Sequence, residues 1–275
     1  HRARLAPDKN MTPGLARERQ TPDEPDTIAP RLRPVVIGLP PGADPCTHCD
    51  VRHRSVCSAI DDADLARLAD AATVRQIGKG RTFIEEGQSA TDFYNITQGT
   101  VKLFKMLPDG RQQITGFAGV GHFLGLAVSN TYAFSAEAIE PVRVCRFSRP
   151  KLATLIEDFP RIERRLLETA CSELAASQEQ MLLLGRKTAR ERVASFLLAR
   201  SSDGVFCDAP TDRVLLPMTR SEIADYLGLT IETVSRTLSR FRAERRIAIP
   251  SSTEIAILDR RWLERLASGL EPRPI

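Results

Sequence analysis

Three thiols within twelve residues open the chemistry of this chain: Cys46, Cys49 and Cys57 stand in a C-x2-C-x7-C arrangement in PCTHCDVRHRSVC. Thiolates so close on one loop can face a single metal ion or cluster, because ligands two residues apart converge on one side of the turn. Three ligands leave one position to fill. His53 would complete a Cys3His zinc site, a distant cysteine would complete four thiolates around an iron–sulfur cluster, and the spacing alone is also compatible with unmetallated thiols. Cys145 reads by itself as a small core residue of a strand, and Cys171 and Cys207 as buried or incidental thiols.

A second set of reactive side chains lies near the other end. Glu232, Ser235, Arg236, Ser239 and Arg240 share one face of a helical stretch whose opposite face carries Ile231, Val234, Leu238 and Phe241. Base edges in a major groove demand such a set: arginine forks onto guanine O6 and N7, a carboxylate accepts from cytosine N4, and a small hydroxyl serves either. Taken alone, this face is a solvated helix surface. Its frame decides otherwise. Thr219 with Glu222 forms a capping box, Ile223, Ala224 and Leu227 make a buried stripe, and Gly228 ends the helix with a residue free to take positive φ. Thr230 then caps the second helix, so the stretch is a helix-turn-helix, with Thr219 and Thr230 joining the DNA-binding set at the two helix starts.

Charge agrees with that reading. The formal net charge is +4, and from Arg186 onward sixteen Lys and Arg face twelve Asp and Glu, so residues 1 to 185 sum to zero. All the net positive charge therefore sits where phosphate counterions would be released. No apolar run approaches a membrane span and no secretion signal is present, which predicts a cytoplasmic protein without membrane contact. In a reducing compartment, six cysteines read as ligands or thiols rather than disulfides.

The remaining elements must position these two sets. Nine of the eighteen prolines fall at or before Pro45, among few large apolar residues, so residues 1–44 read as a disordered leader. Residues 45–159 hold the cysteine loop, a short helix from Asp61 to Ala72, and strands TFIEEG, FYNITQG, VKLFKMLPDG, QQITGFAGVG and VRVCRFS. Their period-two alternation between glycine and polar turns predicts an antiparallel sandwich or barrel, with Pro108-Asp109-Gly110 as a hairpin turn. One long helix follows over 160–187, with Leu166, Ala170, Leu174, Ser177, Met181 and Leu184 advancing by three or four. Such a seam after a closed β-domain predicts a homodimer. Residues 188–275 contain the helix-turn-helix, a small hairpin from IAIP, SST and EIAIL, and a last helix capped by Asp259, which makes the module winged.

In this order of parts the chain resembles the CRP/FNR family of bacterial transcription regulators, and within it the oxygen-sensing FNR branch, from Cys46 to about Leu266. The resemblance is carried by the cysteine cluster, DGRQQITGF (Asp109 to Phe117), MLLLGRKTARERVASFLL (Met181 to Leu198) and MTRSEIADYLGLTIETVSR (Met218 to Arg236). It implies an α+β fold: a cyclic-nucleotide-binding-like β-roll, a dimerisation helix and a winged helix-turn-helix. It also implies a [4Fe–4S] cluster on Cys46, Cys49, Cys57 and Cys145, placing Cys145 rather than His53 as fourth ligand, with zinc as the alternative. Glu232, Ser235 and Arg236 match the Glu-x-x-Ser-Arg pattern that reads TTGAT-type half-sites. The turn at Asp109 and Gly110 resembles a surface through which family activators meet RNA polymerase.

Two departures stand out. Cys49 and Cys57 are further apart than in the enterobacterial form, and Arg245 stands where many relatives have glycine after the recognition helix. Cyclic-nucleotide control is disfavoured, since Gly125-Leu126-Ala127 and Phe134-Ser135 lack the carboxylate and arginine of the nucleotide-binding branch. An iron–sulfur electron carrier or enzyme is a rival reading. No Ser/His/Asp set, phosphate loop or dinucleotide fingerprint accompanies the cysteines to support it.

Arg236→Ala is expected to cost about 1–3 kcal/mol on the specific duplex and much less on random sequence. Gel retardation at matched salt checks this; equal losses would reduce Arg236 to a phosphate contact.

Overall fold

The structure, a computed structural model, describes residues 46–126, 130–202 and 212–270. The leader 1–44, Ala127 and Cys207 lie outside the described residues. The alternating middle third lays down β1 (Ala72–Ile77), β2 (Thr82–Ile84), β3 (Asp92–Gln98), β4 (Val101–Met106), β5 (Gln112–Ala118), β6 (Phe123–Leu124), β7 (Ser135–Ala138) and β8 (Val142–Ser148). These form two antiparallel sheets, in the orders β1-β8-β3-β6 and β2-β7-β4-β5. Ile84, Ile96, Val101, Ala118, Ala136 and Val144 are buried together between them. This is the β-roll. The Pro108-Asp109-Gly110 turn closes the β4–β5 hairpin, with Gly110 at φ 85° and its N–H donating to Leu107 O at 2.9 Å.

Side chains alternate across a strand, so β8 has two allegiances. Val142 and Val144 point into the roll. Cys145 and Phe147 point out, into a second apolar cluster that contains Cys46, Val56, Cys57, Ile60, Leu65, Leu68, Phe93, Phe123, Leu152, Leu155 and Ile162. That outer face is covered by the cysteine loop, by α1 (Leu65–Ala71), by α2 (Arg149–Asp158) and by the start of α3 (Arg161–Arg186). The loop is built from short 3-10 turns at Arg52–Arg54, Val56–Ala59 and Asp62–Asp64. The last of these delays α1, which the sequence places from Asp61.

The third cluster belongs to the C-terminal region, made of α4 (Ala189–Ser202), β9 (Arg213–Leu215), α5 (Arg220–Leu227), α6 (Ile231–Ala243), β10 (Ile247–Ser251), β11 (Glu254–Ile257) and α7 (Arg260–Ala267). Val193, Phe196 and Leu197 of α4 pack with Ile223, Leu227, Val234, Leu238 and Phe241 of the two following helices. The wing is a three-stranded sheet of order β10-β11-β9, one strand more than the expected hairpin. Among the described residues no helix is long and apolar enough to cross a membrane.

Both capping devices are present. Thr219 Oγ1 accepts from the Glu222 N–H at 3.2 Å while Glu222 accepts from the Thr219 N–H at 2.8 Å, and Thr230 Oγ1 accepts from the Thr233 N–H at 3.2 Å. Gly228 ends α5 at φ 60°.

One expected core residue of α6 is corrected: Ile231 is 46% exposed, and Thr237 is buried in its stead. Ile231 is the first residue of the helix, so its side chain, tilted toward the N-terminus, runs past the end of the core. Thr237 lies three residues after Val234 and four before Phe241, on the buried stripe.

Arg245 is the one described non-glycine residue with positive φ, 55°. Its N–H donates to Arg242 O at 3.0 Å and the Arg246 N–H to Phe241 O at 2.9 Å, the paired bonds of a helix stop that glycine ordinarily supplies. The left-handed conformation costs a side-chain-bearing residue about 1–2 kcal/mol, and glycine's larger unfolded-state entropy returns about 0.4–1 of that. Arg245→Gly should therefore raise stability by about 0.5–1 kcal/mol, read as a higher urea midpoint. A lowered midpoint would mean that the arginine side chain makes a compensating contact.

Candidate cysteine centre and DNA-reading surface

The cysteine loop lies across the outward face of β3 and β8. Asn95 pairs with Cys145 across the two strands, so their side chains stand side by side facing the loop. Asn95 is 1% exposed, and its Nδ2 donates to Cys57 Sγ at 3.9 Å. Cys46 and Cys57 are buried in the outer cluster and Cys145 packs against it. Cys49 is half-buried, and a charge on it acts on both Cys57 and Cys145.

The four cysteines named from the sequence are thus gathered on one side of the roll, none of them in a disulfide. Cys171 is exposed on α3, apart from them. His53 is exposed on a turn of the loop. Asn95 was not legible beforehand, since only the β3–β8 register reveals which residue stands next to Cys145.

The loop is held by its backbone and by one arginine. Arg52 pairs with Asp62 and donates to Ile60 O at 2.6 Å, and Ser55 Oγ accepts from the Cys57 N–H at 3.3 Å. Gly121, at φ +89°, lets the loop come close: a Cβ there would lie 3.1 Å from Arg54 O. Burial pushes the Cys57 thiol up to about 11. Burial, then charge on Cys57 and Cys49, pushes Cys145 up to about 12. Both are protonated at neutral pH, so any metal or cluster must displace their protons.

A single ion and a larger inorganic core place different demands on this set. Tetrahedral zinc, with Zn–S near 2.3 Å, draws its sulfurs to about 3.8 Å from one another. Among the described residues no three His, Cys, Asp or Glu side chains are so gathered that they could hold one ion. Three of the four thiols, Cys46, Cys57 and Cys145, lie on a shared apolar floor, and four thiolates are the donor set of an iron–sulfur cluster. The donors are all sulfur, as such a group demands.

The cysteine centre touches the long helix directly. Cys57 and Ile162, in the first turn of α3, belong to one cluster, and Arg161 reaches Asp61 at 3.0 Å. Further along α3, Leu167, Leu174 and Met181 are 65%, 59% and 65% exposed and seven residues apart. Ala170 and Ser177 lie exposed between them. This is a seam with coiled-coil spacing. Two of the seam residues expected from sequence turn inward: Leu166 packs on the cysteine cluster and Leu184 on the helix-turn-helix core. One residue is about 100° of helix rotation, so the exposed line runs through Leu167.

Between α3 and the roll lies a cavity of about 710 Å³ lined by Leu103, Gly125, Leu126, Phe134 and Ala170, among others. Its charged lining residues among those described are Glu163 and Glu173, so no cation there could pair with a phosphate. The Ser135 hydroxyl beside it already accepts from the Glu86 N–H at 3.0 Å.

On α6, Glu232, Ser235, Arg236, Ser239 and Arg240 are all exposed on one face. Its own backbone N–H first, then the Thr230 hydroxyl and the charge of Arg236, hold the Glu232 carboxyl below its ordinary range, so it is an acceptor. Arg240 is bound to Glu244 at 2.8 Å, and Glu244 also takes Arg190 at 3.0 Å. Arg236 makes no ion pair among the described residues. Of the two arginines on this face, it is the one not committed to a carboxylate. At the β4–β5 tip, Asp109 is exposed and its carboxyl is held low by the Arg111 guanidinium, 2.8 Å away.

A β-roll, a long helix with an exposed apolar line, and a winged helix-turn-helix together define a DNA-binding regulator. Residues 74–159 match the cyclic nucleotide-binding domain family and residues 191–266 the Crp-like helix-turn-helix domain family. The chain is 41% identical to the nitrogen fixation regulation protein FixK of Bradyrhizobium diazoefficiens, over 86% of this chain and 100% of that protein. It is 35% identical to the transcriptional activator protein FnrL of Cereibacter sphaeroides, over 78% of this chain and 88% of that one. The solved structure of FixK2 from Bradyrhizobium japonicum superimposes with a TM-score of 0.67 at 34% identity, covering 74% of this chain and 99% of that one. The chain belongs to the CRP/FNR family of transcription regulators.

Raised thiol pKa values mean little thiolate at pH 8. In metal-free protein, Cys57 and Cys145 should therefore alkylate with iodoacetamide well after the exposed Cys171 and after Cys49, as followed by mass spectrometry of digests. Cys145 modified as fast as Cys171 would contradict its packing against the outer cluster.

Proposed function

We propose that this regulator is an oxygen- and redox-responsive activator, working mainly under low oxygen as a homodimer on TTGAT-type half-sites and switched by a [4Fe–4S] cluster on Cys46, Cys49, Cys57 and Cys145. One observation carries the reading: three of these thiols, Cys46, Cys57 and Cys145, share a single apolar cluster with Ile162 in the first turn of α3. Whatever fixes the cysteine loop therefore bears directly on the helix that carries the exposed seam. Ligation by three loop thiols and by Cys145 ties the loop to β8, a rigid inner strand of its sheet. A bound cluster supplies an oxygen-labile inorganic core that couples redox state to this tether.

The energies are adequate. Moving an equilibrium from mostly monomer to mostly dimer takes about 5.5 kcal/mol, and small structural metal sites supply about 10–16 kcal/mol. The seam through Leu167, Ala170, Leu174, Ser177 and Met181 then pairs with its copy and sets two recognition helices about 34 Å apart, one turn of DNA. On each, Glu232, Ser235 and Arg236 read base edges, with Ser239 and Arg240 beside them and Thr219 and Thr230 at the helix starts facing the backbone. Asp109 and Gly110 present the hairpin tip to RNA polymerase. Cyclic nucleotide has no part, in keeping with the acidic and apolar cavity. The chain acts in the cytoplasm.

Protein prepared without oxygen should be coloured, dimeric by sedimentation, and selective for a TTGAT-containing duplex. Serine in place of Cys46, Cys49, Cys57 or Cys145 should abolish colour and binding, whereas Cys171→Ser and Cys207→Ser should not. Leu174→Glu should yield coloured monomer, because it sets like charges against each other across the two-fold axis. A colourless protein holding one zinc, or Cys145→Ser with full colour and oxygen response, would return the fourth position to His53.

A further inference from the structure

The recognition helix reaches the rest of the protomer through α5, and α5 is gripped from the side by the sensor. Lys102, on β4, is 8% exposed. Its ammonium lies 3.0 Å from Glu137 Oε1 on β7 and 3.4 Å from Glu222 Oε1 on α5. Glu222 spends its other oxygen on the Thr219 N–H, at 2.8 Å, as the capping residue of α5. One carboxylate thus starts the helix and ties it to the roll.

Neighbouring bonds repeat the pattern. Gln112 donates to Asp225 Oδ2 at 2.8 Å, Gln113 to Asp225 O at 2.6 Å, and Gln180 of α3 to Tyr226 O at 2.9 Å. The Tyr226 ring sits 5.4 Å from Phe117 of β5 and 5.7 Å from Phe196 of α4. Every one of these contacts ends on α5, and none ends on the reading face of α6.

We propose that Lys102 is a positioning residue for DNA reading: through Glu222 it sets the direction in which the helix-turn-helix leaves the sensor, and so where the recognition helix stands relative to that of a second protomer. The charge arrangement favours such a role. A buried ammonium between two carboxylates has one low-energy geometry, and moving α5 away would break the Lys102–Glu222 half of it while leaving Lys102 on Glu137. The amide bonds from Gln112 and Gln113 fix the rotation of α5 about that point. Reading a single half-site needs only the intact α5–α6 unit, whereas reading two at once needs both units correctly placed. Lys102 therefore contributes to the second and not to the first.

This inference rests on the homodimer proposed above, and the experiment separates the two. Affinities are measured for the full chain, loaded and without oxygen, on a duplex with two half-sites, on one with a single half-site and on random DNA. Lys102→Met should weaken binding to the two-site duplex about tenfold, an ordinary coupling between sites, and leave single-site and random binding unchanged. Lys102→Arg should restore it. Gln113→Ala, which removes a bond to α5 without unpairing a charge, should give a smaller loss in the same direction and remains informative if Lys102→Met does not fold. A wild-type protein with no preference for two half-sites would sink the dimer and this inference together. A strong wild-type preference that Lys102→Met and Gln113→Ala leave intact, or an equal loss on all three duplexes, would overturn the role of Lys102 alone.

Discussion

The parity of the β3–β8 pair is the constraint on which the β-roll and its cysteine loop depend. Because alternate residues of an antiparallel strand face opposite sides, the run Val142, Val144 that closes the interior of the roll forces Cys145 and Phe147 outward. The same holds for β3, where Ile96 is committed to the interior and Phe93 and Asn95 to the outside. A register slip of one residue would bury Cys145 in the roll and expose Val144 to the loop. The apolar interior therefore selects, with no reference to metal chemistry, the strand face on which the fourth thiol appears.

What that face supports is an apolar floor shared by parts of different origin: a loop preceding the roll, strands within it and the first turn of the helix after it. Val56 and Cys57 from the loop meet Phe123, Phe147, Leu155 and Ile162 around a void of only about 10 Å³. In so tight a contact a shift of the loop has to be answered by its neighbours, since dense interiors transmit displacement rather than absorb it. Charged links at the rim, Arg52 to Asp62 and Arg161 to Asp61, follow the same seam but are solvent-screened, so the apolar contact carries the coupling.

The reading half is organised by helix ends. Thr219 and Glu222 set where α5 begins, Gly228 where it stops and Thr230 where α6 begins, and Arg245 ends α6 in a backbone conformation that its side chain disfavours. The paired bonds to Arg242 and Phe241 hold it there. Glu222 has a second duty toward Lys102, so the start of the helix-turn-helix is also its junction with the sensor.

Most of the reading half was legible in the sequence, because capping and helical periodicity are local: four residues of chain decide a cap, and seven decide a stripe. The exceptions were positional. Ile231 counted as core by spacing and was released by its place at the helix start, and Leu166 was traded for Leu167 because the line of a seam depends on which way a helix is rotated against its own domain. The loop cysteines stood out by their types and spacing. The sequence by itself determined which thiols, which exposed polar face of α6 and which caps exist. Tertiary structure alone decided that Cys145 faces the loop, that Asn95 stands between it and Cys57, and that Lys102 meets Glu222 across 120 residues. Sheet register and docking of distant elements are set by burial summed over the whole roll, and no local window of the chain contains that sum.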